Sequence, residues 1–354
     1  MNPDAIDGVE RVPHGGDSAP DVLDFSANVN PFRPEGAEAV YRKALESSRR
    51  YPDDGYPDFR EAAAGYVGCA PSNVIPTPGG LAGIRLVLEC ALEPGAKALV
   101  PYPSFGEYAR EVRLQGALPT FVPHDELLET GRKSLEEHAL AFVCTPNNPT
   151  GEVADPERLA AFAGRCEEAG TTLVIDEAFL GFTEVPSMAD GVGVEGSYGT
   201  EALPLETVAV VRSLTKLFGL PGLRAGFVVA SGTLRDRLVT ARRAWNLGTP
   251  AARVGAHCMR DEAFVRETRE RTRRERRRIV ERLGGSFEVF PSNAPFLLCD
   301  VGDREVADLV PACRERGVAI RDATTFRGLD SHVRVAVKDW ERNERLLEVL
   351  CDER

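Results

Sequence analysis

Short apolar runs recur along the first two-thirds of the chain, each followed by a stretch with helical spacing. Residues 22–25, 74–78, 98–100, 117–122, 139–144, 171–175, 208–211 and 226–230 predict strands. Most of these runs lack a polar alternate, which is the pattern of strands buried on both faces. Helices are predicted over 36–48, 58–67, 81–92 and 155–169, with another amphipathic one after Tyr108. Strands and helices alternating this way imply an α/β fold with a mainly parallel sheet covered on both sides. The rhythm breaks after Gly284 and Gly285. Beyond them come short strands at 287–290, 296–300, 318–321 and 333–337, with helices over 304–316 and 339–350. This reads as a smaller α+β domain, joined to the larger one by a single long helix over 260–283. The expected division is 48–261 for the large domain and 262–354 for the small one, with the segment 1–47 returning to the small domain.

At 354 residues the chain is long enough for two such domains and a sizeable core. Its formal net charge of −12 argues against a nucleic-acid partner. The arginine run at 273–278 could suggest one, but the glutamates around it favour a solvated helix face. Eight cysteines are scattered with no C-x-x-C pair, and several sit inside apolar runs. Buried free thiols in a reducing cytosol are expected, rather than disulfides or a metal site. The first ten residues lack the basic start and apolar core of a signal peptide. No apolar stretch is long enough to span a bilayer. The expectation is a cytoplasmic protein with neither a membrane nor a nucleic-acid partner.

The chemistry-bearing residues gather where predicted strands end. The strand at 208–211 leads straight into Arg212, Ser213, Leu214, Thr215 and Lys216, and Arg224 stands just ahead of the next strand. A lysine there can form a Schiff base, because an amine in a partly desolvated pocket loses its proton readily. Ser213, Thr215 and Arg224 are suited to a phosphate through hydroxyl and guanidinium contacts. Gly79 and Gly80 lie between a strand and a helix start, which makes an anion site, although a tight turn would use the same residues. Gly80, Phe105, Asn148, Asp176 and Lys216 all follow predicted strand ends. A parallel sheet would carry them to one rim, where such sheets bind ligands. Arg321 and Arg334 end or interrupt apolar strands. Structural ion pairs are the ordinary use of such arginines, but two of them also suit a substrate with two anions. Asn28, in the loop S-A-N-V-N-P, either satisfies its own loop backbone or contacts substrate.

TPNNPTG at 145–151, DEAF at 176–179, and SLTK at 213–216 with PGLR at 221–224 form an ordered set. By that set the chain resembles the fold-type I pyridoxal-phosphate enzymes of the histidinol-phosphate aminotransferase branch, from about His14 onward. HGG at 14–16, DFSANVNP at 24–31, RYPD at 50–53, PSFGEY at 103–108 and NERLL at 343–347 make it most similar there to the L-threonine-O-3-phosphate decarboxylases. The resemblance implies an aspartate-aminotransferase-like fold with pyridoxal 5'-phosphate as cofactor. Lys216 would bind the cofactor covalently and move protons at the substrate's Cα, while Asp176 would pair with the ring nitrogen. Asn148 would bond the ring hydroxyl oxygen and Phe105 would stack on the ring. Gly80, Leu81, Ser213 and Arg224 would hold the cofactor phosphate, with Thr215 nearby. Tyr51 would reach the cofactor phosphate of a neighbouring subunit, which implies a homodimer with shared sites. Asn28 and Arg334 would meet the carboxylate of a small phosphorylated amino-acid substrate, and Arg321 with His14 its phosphate.

The implied activity is decarboxylation of L-threonine O-3-phosphate. Transamination of histidinol phosphate or a related amino acid would use nearly the same residues. A non-catalytic regulator built on a degenerate cofactor domain ranks below both, because Lys216 and Asp176 are present. Phe179 departs from the branch, whose aminotransferases usually carry a tyrosine there that bonds the cofactor ring oxygen. The departure tilts the reading away from transamination. GGLA at 79–82 lacks the polar side chains often found there, which leaves backbone amides more of the phosphate binding.

Overall fold

The computed structural model describes residues 7–17, 19–192 and 206–351. Strand β1 (Leu23–Asp24) comes first in the chain. The main sheet follows, with β2 (Val74–Thr77), β3 (Lys97–Tyr102), β4 (Leu118–Pro123), β5 (Leu140–Cys144), β6 (Thr172–Asp176), β7 (Val208–Ser213) and β8 (Gly226–Val229). These seven strands lie in the order β2-β8-β7-β6-β5-β3-β4. Pairings from β7 through to β4 are parallel, whereas β8 runs against both β2 and β7. The reversal has a simple cause. Between β7 and β8 the chain forms only the single 3₁₀ turn Pro221–Leu223, so no helix carries it back across the sheet for a parallel return.

Successive residues of the central strands enter opposite cores, as the strand period requires. Val208 and Val210 pack with Leu173 and Ile175 on one face, alongside Leu159 and Phe162 of the helix Pro156–Ala169. Ala209 and Val211 pack with Val174 on the other, against Ile84 and Leu88 of the helix Gly80–Ala91. Burial on both sides is why these strands read as unbroken apolar runs.

The remaining strands are β9 (Glu288–Val289), β10 (Phe296–Asp300), β11 (Val318–Ala319), β12 (Arg321–Asp322) and β13 (His332–Ala336). An antiparallel sheet takes the order β12-β13-β10-β9, and β1 pairs in parallel with β11. The strand expected over 318–321 is thus two, because the chain changes partner at Ile320, leaving β1 for β13. Phe25 joins Leu283, Leu297, Val335 and Leu346 in a third core, so the N-terminal segment packs with C-terminal elements. The long helix is continuous over Glu262–Leu283. It starts two residues later than expected because Asp261 caps it, accepting from the Phe264 amide at 2.9 Å. Two helices left unassigned by the sequence pattern, Gly232–Ala241 and Thr249–Met259, follow β8. The cysteines are free thiols. No helix among the described residues is long and apolar enough to cross a membrane.

Candidate active site

A cavity of about 340 Å³ opens at the carboxyl ends of the parallel strands. Gly80, Leu81, Phe105, Asn148 and Asp176 line it, as do Ser213, Thr215, Lys216 and Arg224. His14, Asn28, Arg321 and Arg334 close it from the N- and C-terminal segments. Of the residues expected from sequence, only Tyr51 lies elsewhere.

One end of the cavity is built for an anion. Gly79, with φ 95°, follows β2 two residues on and turns the chain into the helix Gly80–Ala91, whose first amides carry no side-chain cap. The Arg224 guanidinium packs over Gly79, where a Cβ would fall 2.9 Å from its Nη2. Ser213 and Thr215 hydroxyls face each other at 2.9 Å. Gly226 makes the arrangement possible, since a Cβ there would sit 2.8 Å from the Gly79 carbonyl carbon and 2.9 Å from the Gly80 nitrogen. Backbone amides, two hydroxyls and a guanidinium therefore converge with no carboxylate among them.

At the centre lie an acid and an amine. Asp176, the last residue of β6, is buried and accepts from Tyr108 Oη at 2.7 Å and the Ala178 amide at 3.0 Å. Burial pushes its carboxyl above the ordinary range, against the downward pull of those two bonds. Lys216 Nζ has no hydrogen-bond or ion-pair partner among the described residues. Its ammonium is destabilised by burial first and then by the Arg334 and Arg224 charges, which bring its pKa down to about 8. That leaves a sizeable neutral fraction near neutral pH, as a nucleophilic or proton-transferring amine needs.

The far wall holds two buried arginines. Arg321 of β12 and Arg334 of β13 are direct cross-strand partners. Like charges so placed repel. Neither has a carboxylate within ion-pair distance among the described residues. Arg334 donates from Nη1 to Asn148 Oδ1 and from Nη2 to the Ser26 carbonyl at 2.9 Å, and its Nε is buried without a partner. Burial and the neighbouring Arg321 bring its pKa down to about 9. Arg321 donates from Nη2 to the Pro13 carbonyl and to Thr325 Oγ1, both at 2.8 Å. Phe326 lies beneath both guanidinium groups, at 5.5 and 5.8 Å, an aromatic contact that offsets part of the desolvation. Asn28 Oδ1, at the same wall, is also buried without a partner.

The segment Val12–Gly15 lines one side of the entrance. His14 Nε2 lies 2.9 Å from the buried Glu107 carboxylate, which Arg110 also contacts at 3.2 Å. Phe179 borders the cavity with its ring edge-on to Phe296, 5.0 Å between centroids, and brings no hydroxyl. Tyr51 is 78% exposed and stacks on Trp245 at 4.5 Å. Tyr108, Glu107 and Phe326 were not singled out from sequence. For Tyr108 the signal was there, three residues beyond Phe105 in PSFGEY and so on the same side of a helix start.

The chain matches the family described as aminotransferase class I and II over residues 20–350. It belongs to that family. A threonine-phosphate decarboxylase of Salmonella typhimurium is 30% identical to it over 354 residues, covering 95% of this chain and 92% of that one. A histidinol-phosphate aminotransferase of Methanoculleus marisnigri is 32% identical over 342 residues, covering 93% and 90%. The crystal structure of the histidinol-phosphate aminotransferase from Clostridium acetobutylicum superposes with a TM-score of 0.82 at 25% identity, covering 93% of this chain and 98% of that one. The fold is thus the fold-type I aminotransferase architecture, and family membership supports pyridoxal 5'-phosphate as cofactor. The cavity fits that group: a carboxylate-free anion cradle of helix amides, two hydroxyls and Arg224, a buried acid in Asp176, and Lys216 without a partner among the described residues, all lining one cavity.

Proposed function

We propose that this protein decarboxylates L-threonine O-3-phosphate to (R)-1-amino-2-propanol O-2-phosphate, a step of cobalamin side-chain synthesis. The observation that carries the reading is the Arg321–Arg334 pair. Two buried cations side by side without carboxylates suit a ligand bearing two anions, and this substrate has a carboxylate at one end and a phosphate at the other. Histidinol phosphate carries only the phosphate, but the 2-oxoglutarate that follows it in transamination carries two carboxylates, so the arginine pair favours decarboxylation only for the first substrate. Phe179 supports the same reading, because it withholds the hydroxyl that aminotransferases of the branch usually place there.

When bound, pyridoxal phosphate supplies an electron sink that weakens the bonds at the substrate's Cα. Gly80, Leu81, Ser213, Thr215 and Arg224 would hold its phosphate, Asp176 would pair with its ring nitrogen, Asn148 would bond its ring oxygen and Phe105 would stack on the ring. Asn28 and Arg334 take the substrate carboxylate, and Arg321 with His14 the substrate phosphate. Gripping both ends fixes rotation about the Cα–N bond and so selects which Cα bond is cleaved. The carboxylate leaves as CO₂, and Lys216 Nζ gives a proton to Cα. The working enzyme is a cytoplasmic homodimer, divided within each subunit at residues 47/48 and 261/262. Tyr51, exposed and outside its own subunit's cavity, serves the partner's cofactor phosphate.

Incubation of the holoenzyme with phosphothreonine should release CO₂. Turnover of histidinol phosphate with 2-oxoglutarate, without CO₂ from phosphothreonine, would replace this reading by the aminotransferase one, to which the Methanoculleus relative points. Mixed Tyr51→Phe and Lys216→Ala subunits should regain activity, since each hybrid holds one intact site. A fully active monomer by sedimentation would contradict the shared site.

A further inference from the structure

Among the described residues, Asp176 is the only acidic side chain lining the cavity, and it accepts one hydrogen bond on each carboxylate oxygen. Of its two contacts, the Ala178 amide is local to its own turn, whereas Tyr108 reaches it from a separate helix, Glu107–Leu114. The tyrosine is fully buried and its ring has little freedom. It stacks on Phe142 at 4.7 Å and 12° and meets Phe105 edge-on at 5.5 Å. Its helix is tied to the sheet's outer layer by Glu111, which receives Arg85 through two nitrogens. The other charged or titratable groups near the carboxylate work differently. Glu177 and Arg212 pair with each other, Cys144 donates to the Pro146 carbonyl at 3.3 Å while its thiol also lies against the Tyr108 hydroxyl, and Lys216 makes no bond to the carboxylate.

We propose that Tyr108 is a positioning residue whose hydroxyl keeps Asp176 ionised and oriented toward the cofactor's ring nitrogen. A hydroxyl that donates to a carboxylate stabilises its charged form. Burial pulls Asp176 the other way, toward a neutral acid that could not hold a protonated ring nitrogen. One accepted bond on each carboxylate oxygen also fixes the rotamer while leaving lone pairs free for the ring. Any buried tyrosine needs a partner for its hydroxyl, so the contact alone does not establish the role. What distinguishes the two is coupling: a positioning hydroxyl matters only while Asp176 is a carboxylate.

The inference rests on Asp176 pairing with the ring nitrogen, and a double-substitution cycle separates the two claims. Apoprotein of Tyr108→Phe, Asp176→Asn and the double variant is titrated with pyridoxal phosphate, and affinity and visible absorbance of the bound cofactor are recorded. Tyr108→Phe keeps the ring stack, and should weaken binding about tenfold to a hundredfold and shift the absorbance. Asp176→Asn should cost at least as much, and the double variant no more than Asp176→Asn alone. Losses that add in the double variant, or a Tyr108→Phe protein with wild-type affinity and spectrum, would overturn the role of Tyr108. So would a Tyr108→Phe apoprotein that fails to fold, since the hydroxyl's work would then be structural. Unchanged affinity and spectrum in Asp176→Asn would instead refute the pairing of Asp176, and Tyr108's role with it.

Discussion

Arg212 and Arg334 are both buried guanidinium groups at strand positions, yet their surroundings are opposite. Arg212, on β7, points away from the cavity and pairs with Glu177 at 2.8 Å while bonding Tyr66 Oη at 3.1 Å. Glu177 is further held by Ser187 Oγ and the Met188 amide. Burial disfavours the Arg212 charge, but Tyr66 and Glu177 outweigh it and raise its pKa. Among the described residues Arg334 has no acid within ion-pair distance, only the more distant Asp24; it has a like-charged neighbour and an orphaned Nε, and its pKa falls to about 9. One arginine is finished by the protein. The other keeps a polar atom unspent, which is why it, and not Arg212, is proposed to take a ligand.

The contrast is broken most directly by removing each arginine. Arg212→Ala leaves Glu177 charged and unpaired in the interior, which should cost about 3–5 kcal/mol of stability. Urea unfolding measures it. Arg334→Gln should lose far less stability, because it relieves a buried repulsion, but should cost about 2–5 kcal/mol of transition-state binding, a fall in kcat/KM of well over tenfold. If the two variants unfold alike, the distinction between them is wrong. A smaller effect sharpens it. The neutral form of Lys216 is the reactive one, so capture of pyridoxal phosphate by apoprotein should quicken as pH rises through about 8. Arg334→Gln removes a cation that disfavours the lysine's proton, and the midpoint should move upward. A midpoint that stays put in stopped-flow absorbance would remove Arg334 from that environment.

How much of this was legible beforehand depended on range. The rim was readable because Gly80, Phe105, Asn148, Asp176 and Lys216 each follow a strand, and a parallel sheet puts such positions together whatever its strand order. Residues acting across elements were harder. Tyr108 matters through Asp176, 68 positions away, and no local spacing announces that bond. Arg321 and Arg334 were each visible as arginines in apolar strands, but their facing register follows from β12 turning from β1's partner to β13 at Ile320. The helix Gly232–Ala241 escaped because it buries only Leu234 and Leu238, which leaves a faint apolar stripe, whereas Thr249–Met259 buries a face made largely of small residues, Ala251, Gly255, Ala256 and Cys258. Phe179 was recognisable as a departure from sequence alone, since it stands inside a motif whose other members are intact.

The facing register of Arg321 and Arg334 also works as a calliper. In the proposed role, its jaws stand on facing positions of β12 and β13, about 4.5–5.5 Å apart at Cα, and their tips are held by Asn148 and Ser26 for Arg334 and by Pro13 and Thr325 for Arg321. A ligand whose two negative ends are spaced to match can touch both jaws at once, and one methylene more would force it to buckle. Chain length, rather than the methyl branch, should therefore dominate substrate choice. The serine analogue should be accepted more readily than the homoserine one, and equal turnover of the two in direct competition would show the jaws to be loose.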